Sequence, residues 1–178
     1  EINFAAAPGQ DAVTALYGVD KSGLSGVTSY DLTYAALNNA SPLFCDASVR
    51  RAFVLSVRQS DLCVALLDQG MPAGGLVSDA FGSADSQKSS FRDDADSLLC
   101  SDTAYAENLL LAKQLLSDAG FADPADFPTV TIVYDKGNAL HAAAAKALAQ
   151  CWHERLSIDV QSEGLDAETL SETLRNGS

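Results

Sequence analysis

Apolar residues recur along this chain at two spacings, every third or fourth position and in short unbroken runs, and the changes between them mark out the expected elements. Glu1 to Ala6 reads as a short strand that Pro8 and Gly9 interrupt, followed by a short helix over Gln10 to Tyr17 and a loop from Val19 to Gly26. Thr28 to Leu37, with its Thr, Tyr and Leu residues, predicts a second strand ending at Asn38-Asn39 and a turn through Pro42. Asp46 is placed to accept the free N–H groups of a helix's first turn, and Val49, Ala52, Phe53 and Val57 follow at helical spacing. A further helix, Asp61 to Leu67, leads into the glycine-rich turn from Gly70 to Gly75.

From Asp79 to Thr103 the chain turns rich in Ser and Asp, which predicts a long surface excursion (residues 79–103) with at most a short helix near Ala95 to Cys100. Leu109, Ala112, Leu115, Leu116 and Ala119 then form one helical stripe, which Gly120 ends. The β-branched run Thr129 to Tyr134, a helix from Asn138 to Leu156 and a strand from Ser157 to Gln161 have the spacing of a βαβ unit, whose strands run parallel. A last short helix covers Leu170 to Arg175. The expected fold class is therefore α/β, a mixed β-sheet flanked by helices. Residues 1–178 are expected to form a single domain.

Charge narrows the choice of partners. Eleven Lys and Arg against 24 Asp and Glu leave a formal net charge of −13, so the basic surface that phosphate binding requires is missing and nucleic acid is not an expected partner. The longest apolar runs, such as Leu109 to Ala112, fall far short of the roughly 20 residues a membrane span needs. The chain begins at Glu1, without Met or a signal-like apolar stretch, and reads as a piece of something longer. Cys45, Cys63, Cys100 and Cys151 have neither C-x-x-C spacing nor the density of a disulfide scaffold, and sequence does not choose among their pairings.

Reaction chemistry finds no constellation. His141 and His153 fall on one expected helix, twelve residues and about 18 Å apart, too far to share a metal ion. Cys151 and His153 are two positions apart on that helix, where side chains diverge, so they do not form a nucleophile–base pair. Neither a G-x-S-x-G elbow nor a phosphate-binding glycine loop occurs. The expectation is no catalytic residue, no metal and no cofactor.

Four blocks in order, and the segment that closes the chain, resemble the family 5 solute-binding proteins, which serve oligopeptide, dipeptide, nickel and related importers. The most specific is the strand ending at Asn38, the Pro42-Leu43-Phe44 turn and a helix opening with Asp46, Val49, Arg50 and Ala52. After it come Gly70 to Ala73, Ala112 to Phe121, Val130 to Tyr134 leading into His141 and Trp152, and a close through Ile158 to Val160 and Glu168 to Gly177. Two departures stand out. Val57-Arg58-Gln59 replaces an Ile-Asp-Arg-like segment, and Glu163-Gly164-Leu165 stands where members often carry Glu-Trp after the last strand, near the ligand.

The resemblance implies one lobe of a two-lobed, periplasmic-binding-protein-like fold of type II. It implies a monomer, a cell-surface lipoprotein or periplasmic protein, that takes a peptide or other small solute outside the cytoplasm and passes it to an ABC permease. A ligand-sensing domain of the same fold, fused to a regulator, is the alternative. His141 matches a cleft-facing position, and a helix N-terminus there would offer free N–H groups to a carboxylate. A half-buried structural histidine is the plain alternative. Tyr34 matches a strand with cleft-facing tyrosines, though core packing explains it as well, and Asn138 is a ligand candidate or a helix cap. Asn38, Pro42, Asp46, Val49 and Arg50 are assigned to turn geometry and capping.

Overall fold

A computed structural model describes residues 10–19, 22, 25, 30–66, 70–78, 80–83, 90–91 and 102–177. In chain order these hold α1 (Gln10–Tyr17), α2 (Ala47–Leu55), α3 (Gln59–Ala65), α4 (Tyr105–Asp118), β1 (Val130–Asp135), α5 (Ala139–Leu156), β2 (Val160–Leu165) and α6 (Ala167–Asn176). The expected strand at Glu1 to Ala6 and the expected short helix near Ala95 to Cys100 lie outside the described residues. None of the described helices is long and apolar enough to cross a membrane.

The core is built around α2. Asp46 caps its first turn by accepting the Ser48 N–H at 2.7 Å, while the Arg50 guanidinium turns back to donate to the carbonyls of Phe44 and Cys45 at 2.6 and 2.9 Å. Val49, Ala52, Phe53 and Leu55 are thereby buried together. The ring of Phe53 meets those of Phe44, Phe127 and Trp152 at centroid distances of 5.1, 5.7 and 4.9 Å, which joins α2 to the turn before it, to the approach of β1 and to α5. Ala112 and Leu116 of α4 and Leu156 and Ile158 complete the cluster. α4 ends as its sequence predicts. Gly120 takes a φ of +98°, its N–H donates to Ser117 and that of Phe121 to Leu116, a pair of bonds that closes the helix's last carbonyls.

The sheet among the described residues has two parallel strands, with Val130 opposite Val160 and Asp135 opposite Leu165. They are joined through α5, the βαβ unit expected, and the fold class is α/β.

Several boundaries differ from the expectation for identifiable reasons. The last strand begins at Val160 rather than Ser157, because Ser157 adopts a left-handed φ of 58° to stop α5, and Ile158 is buried in the core cluster. α3 starts two residues early, at Gln59, because the carboxylate of Asp102 accepts the N–H groups of Gln59 and Ser60 at 3.2 and 3.1 Å, a cap supplied from more than 40 residues away. It ends at Ala65, and Leu67 lies outside the described residues. α2 stops at Leu55, leaving Val57 beyond it. α4 begins at Tyr105, and α6 at Ala167, where Asp166 accepts the Thr169 N–H at 3.0 Å. The strand expected at Thr28 to Leu37 is not one over its described part. Residues 31–38 are irregular and mostly exposed, since an extended segment counts as a strand only where a neighbour pairs with it.

Candidate functional site

In parallel α/β sheets ligands gather outside the carboxyl ends of the strands, where the chain turns into helices whose N-termini face the same way. Here β1 and β2 both end at such an edge. After β1, Asp135 Oδ1 accepts the Gly137 N–H at 2.8 Å and the Asp135 carbonyl accepts the Asn138 N–H at 3.0 Å, forming the tight turn that starts α5. Lys136 ties the two strand ends together: its N–H donates to Leu165 O at 2.9 Å, and its ammonium lies 3.8 Å from Asp166. Asp166 in turn caps α6 through the N–H and hydroxyl of Thr169, and those hydrogen bonds hold its carboxyl below the usual carboxylate range, helped by Lys136.

Two of the three sequence-expected site residues meet at this edge. Asn138 is the N-cap of α5, its side-chain oxygen accepting the N–H groups of Leu140 and His141 at 3.0 and 3.2 Å. That cap changes the case for His141. Two of the amides that were to receive a carboxylate are already bonded, so the half-buried imidazole itself is the group His141 can offer. Tyr34 is 70% exposed on the irregular segment, with no hydrogen bond or ring contact to a described residue. The end of that segment is anchored elsewhere: Asn38 donates to Gly177 O at 2.7 Å, beside the C-terminal end of α6 rather than the Asp166 end.

Sequence reading missed Tyr134, Lys136, Gly164 and Asp166. The turn Asp135-Lys136-Gly137-Asn138 directly after a β-branched run was the available signal for the edge. Glu163-Gly164-Leu165 proves to be the end of β2 itself, so the residues following the last strand are Asp166 and Ala167, again without an aromatic.

Away from the edge, a groove between α3 and α5 is lined by Asp61, Leu62, Cys151 and Arg155 among others. Beside it the guanidiniums of Arg58 and Arg155 lie over the Tyr105 ring, 5.9 and 5.6 Å from its centroid, while Asp61 bridges both arginines. The Tyr105 hydroxyl donates to Ser56 O at 3.0 Å, and burial pushes its pKa up. Burial also raises that of Cys151, whose thiol points to Ser56 O at 3.7 Å. His153 turns the other way, its Nδ1 3.2 Å from Ile158 O, which calls for a proton on that nitrogen. The two side chains do not pair. Among the described residues no group of three or more His, Cys, Asp or Glu is placed to hold a metal ion.

Comparison with known proteins places this architecture. A sequence model described as bacterial extracellular solute-binding proteins, family 5, middle, matches residues 1–178. The chain belongs to this family. No curated protein matches its sequence. Among solved structures, the family 5 chain is similar to OppA of Burkholderia pseudomallei, at 26% identity and a TM-score of 0.62 over 79% of this chain and 26% of that one. It is also similar to the murein tripeptide binding protein MppA of Escherichia coli, at 21% identity and a TM-score of 0.71 over 95% of this chain and 31% of that one. A third is Haemophilus influenzae OppA, solved in complex with RPPGFSPFR, at 23% identity and a TM-score of 0.61 over 79% of this chain and 26% of that one. The chain thus spans about a quarter to a third of the length of these proteins, and it shares their type II periplasmic-binding-protein fold.

Proposed function

We propose that residues 1–178 form one lobe of a solute-binding protein that captures peptides or similar small solutes outside the cytoplasm, as a monomer, and delivers them to the permease of an ABC importer without catalysing a reaction. The observation that carries this reading is family membership along the whole chain. The names of the similar structures, an oligopeptide-type binder complexed with RPPGFSPFR and a murein tripeptide binder, support a peptide-like solute. The half-buried thiol of Cys151, whose pKa burial raises, and the divergence of His153 favour binding over catalysis.

Within this lobe the ligand side is the carboxyl edge of β1 and β2. His141 contributes its imidazole and Asn138 orients the first turn of α5 on which His141 sits, while Tyr34, exposed on a segment anchored at the far end of α6, meets the solute away from that edge. The second lobe closes the other side. The test is calorimetric titration of the complete protein with a defined set of di- to pentapeptides, repeated with His141→Ala. Saturable binding that weakens about tenfold in the variant supports the reading; a complete protein that binds no peptide overturns it.

A further inference from the structure

We infer that Tyr134 is a ligand-contacting residue of this edge and that Gly164 is what seats it there; the inference rests on the solute-binding reading above. Tyr134 and Gly164 are register partners on the two parallel strands, so their side-chain positions share one face of the sheet. A Cβ built on Gly164 would lie 3.2 Å from both Cε2 and Cζ of the Tyr134 ring and 3.0 Å from Cβ of Lys136. Carbon atoms in good contact sit about 3.5–4.0 Å apart, so a side chain at 164 would press on the ring and on Lys136 and shift them by a few tenths of an ångström. The phenol therefore lies across β2, its hydroxyl-bearing end over the one position of that strand without a side chain.

This is not core packing. Ile132, two residues earlier on the same face, packs against the buried cluster, whereas Tyr134 does not join it and is half-buried. A partly buried tyrosine ordinarily finds a partner for its hydroxyl, yet that of Tyr134 makes no hydrogen bond to any described residue. What results is an aromatic surface at the strand ends, near Lys136, whose hydroxyl is unbonded among the described residues. Such a surface fits a peptide that lays an apolar side chain on the ring and turns a main-chain carbonyl or terminal carboxylate toward the hydroxyl.

The experiment uses the complete protein and peptides of two to five residues built from alanine and phenylalanine, titrated by calorimetry. Tyr134→Phe, which keeps the ring, is expected to weaken binding about fivefold, the effect of one net hydrogen bond. Tyr134→Ala weakens it further, and more for phenylalanine-containing peptides than for all-alanine ones. Gly164→Ala, which shifts the ring without removing it, weakens binding by less than Tyr134→Ala, while Lys113→Ala, exposed on α4, leaves binding unchanged. Wild-type affinity in both Tyr134→Phe and Gly164→Ala would overturn the inference while leaving the solute-binding reading standing. A wild-type protein that binds none of these peptides or any other would sink both.

Discussion

The indole N–H of Trp152 donates to the carbonyl oxygen of Phe53 at 3.0 Å across 99 residues of sequence, and the two rings pack at 4.9 Å. The same carbonyl accepts the hydroxyl of the buried Ser56, so the last turn of α2 is closed by its own chain and by α5 together. Ser56 O, one step on, takes the hydroxyl of Tyr105 and the thiol of Cys151. α4 and α5 thus both meet the C-terminal end of α2, which fixes α5 and with it the strand ends it joins.

Truncation at this junction should be costly. Trp152→Ala and Phe53→Ala are each expected to destabilise by about 3–5 kcal/mol, and Trp152→Phe by clearly less, since it keeps most of the packing and loses the hydrogen bond. Trp152 is the chain's single tryptophan and is buried, so its fluorescence follows urea unfolding directly, starting blue-shifted and moving red. A Trp152→Ala midpoint equal to wild type, read by circular dichroism, would contradict the packing described.

The cap that Asp102 lends α3 predicts a pH dependence. Burial works against its charge, but hydrogen bonds from Ser60 and Gln59 and the charge of Arg58 outweigh it and leave the folded-state pKa below the ordinary 3.8. The unfolded chain therefore takes up the proton first, so the stabilisation is present above pH 3.8 and is lost as pH falls through the lower folded value. Asp102→Ala should cost about 1 kcal/mol at pH 7. Asp102→Asn, which keeps an acceptor but cannot titrate, should cost less and flatten the decline between pH 5 and 2. Equal steepness in wild type and Asp102→Asn, measured by denaturation across that range, would remove Asp102 from the account.

Left-handed residues give a pair of opposite signs. Ser157 holds a φ of 58° at the end of α5, so Ser157→Gly should stabilise by roughly 0.5–1 kcal/mol by relieving strain. Gly120 holds a φ of +98° at the end of α4, and Gly120→Ala should destabilise by about 1–2 kcal/mol. Thermal melts that move in the same direction for both would show that one of these backbone assignments is wrong.

Local signals carried much of this architecture. The Asp46 cap, the Gly120 stop, the Asn138 cap and the β1–α5–β2 spacing were legible because each depends on neighbours within a few residues. Where the reading failed, the deciding partner was distant or of another kind. The start of α3 is set by Asp102, and no periodicity near Gln59 announces a carboxylate 43 residues away. A serine in a left-handed turn is uncommon, so Ser157 read as strand. At the site, Asn138 and His141 are visible as a helix start and capping as one of two roles for Asn138, but that the cap occupies the amides of both Leu140 and His141 depends on side-chain geometry the sequence does not carry. Tyr134 over Gly164 could not be seen without the register, since only strand pairing brings positions 30 residues apart onto one face.

The central claim is a two-sided binding site of which this chain is one side, and comparing the 178-residue chain with the complete protein tests it most directly. A half-site lacks the opposing lobe's hydrogen bonds to a peptide's charged ends, at about 1.5–3 kcal/mol each, so losing several weakens affinity by orders of magnitude. With the same peptides in the same calorimeter, the complete protein should bind tightly and the isolated chain at millimolar level or weaker. Equal affinity in the two would contradict the account and place a self-contained pocket within residues 1–178.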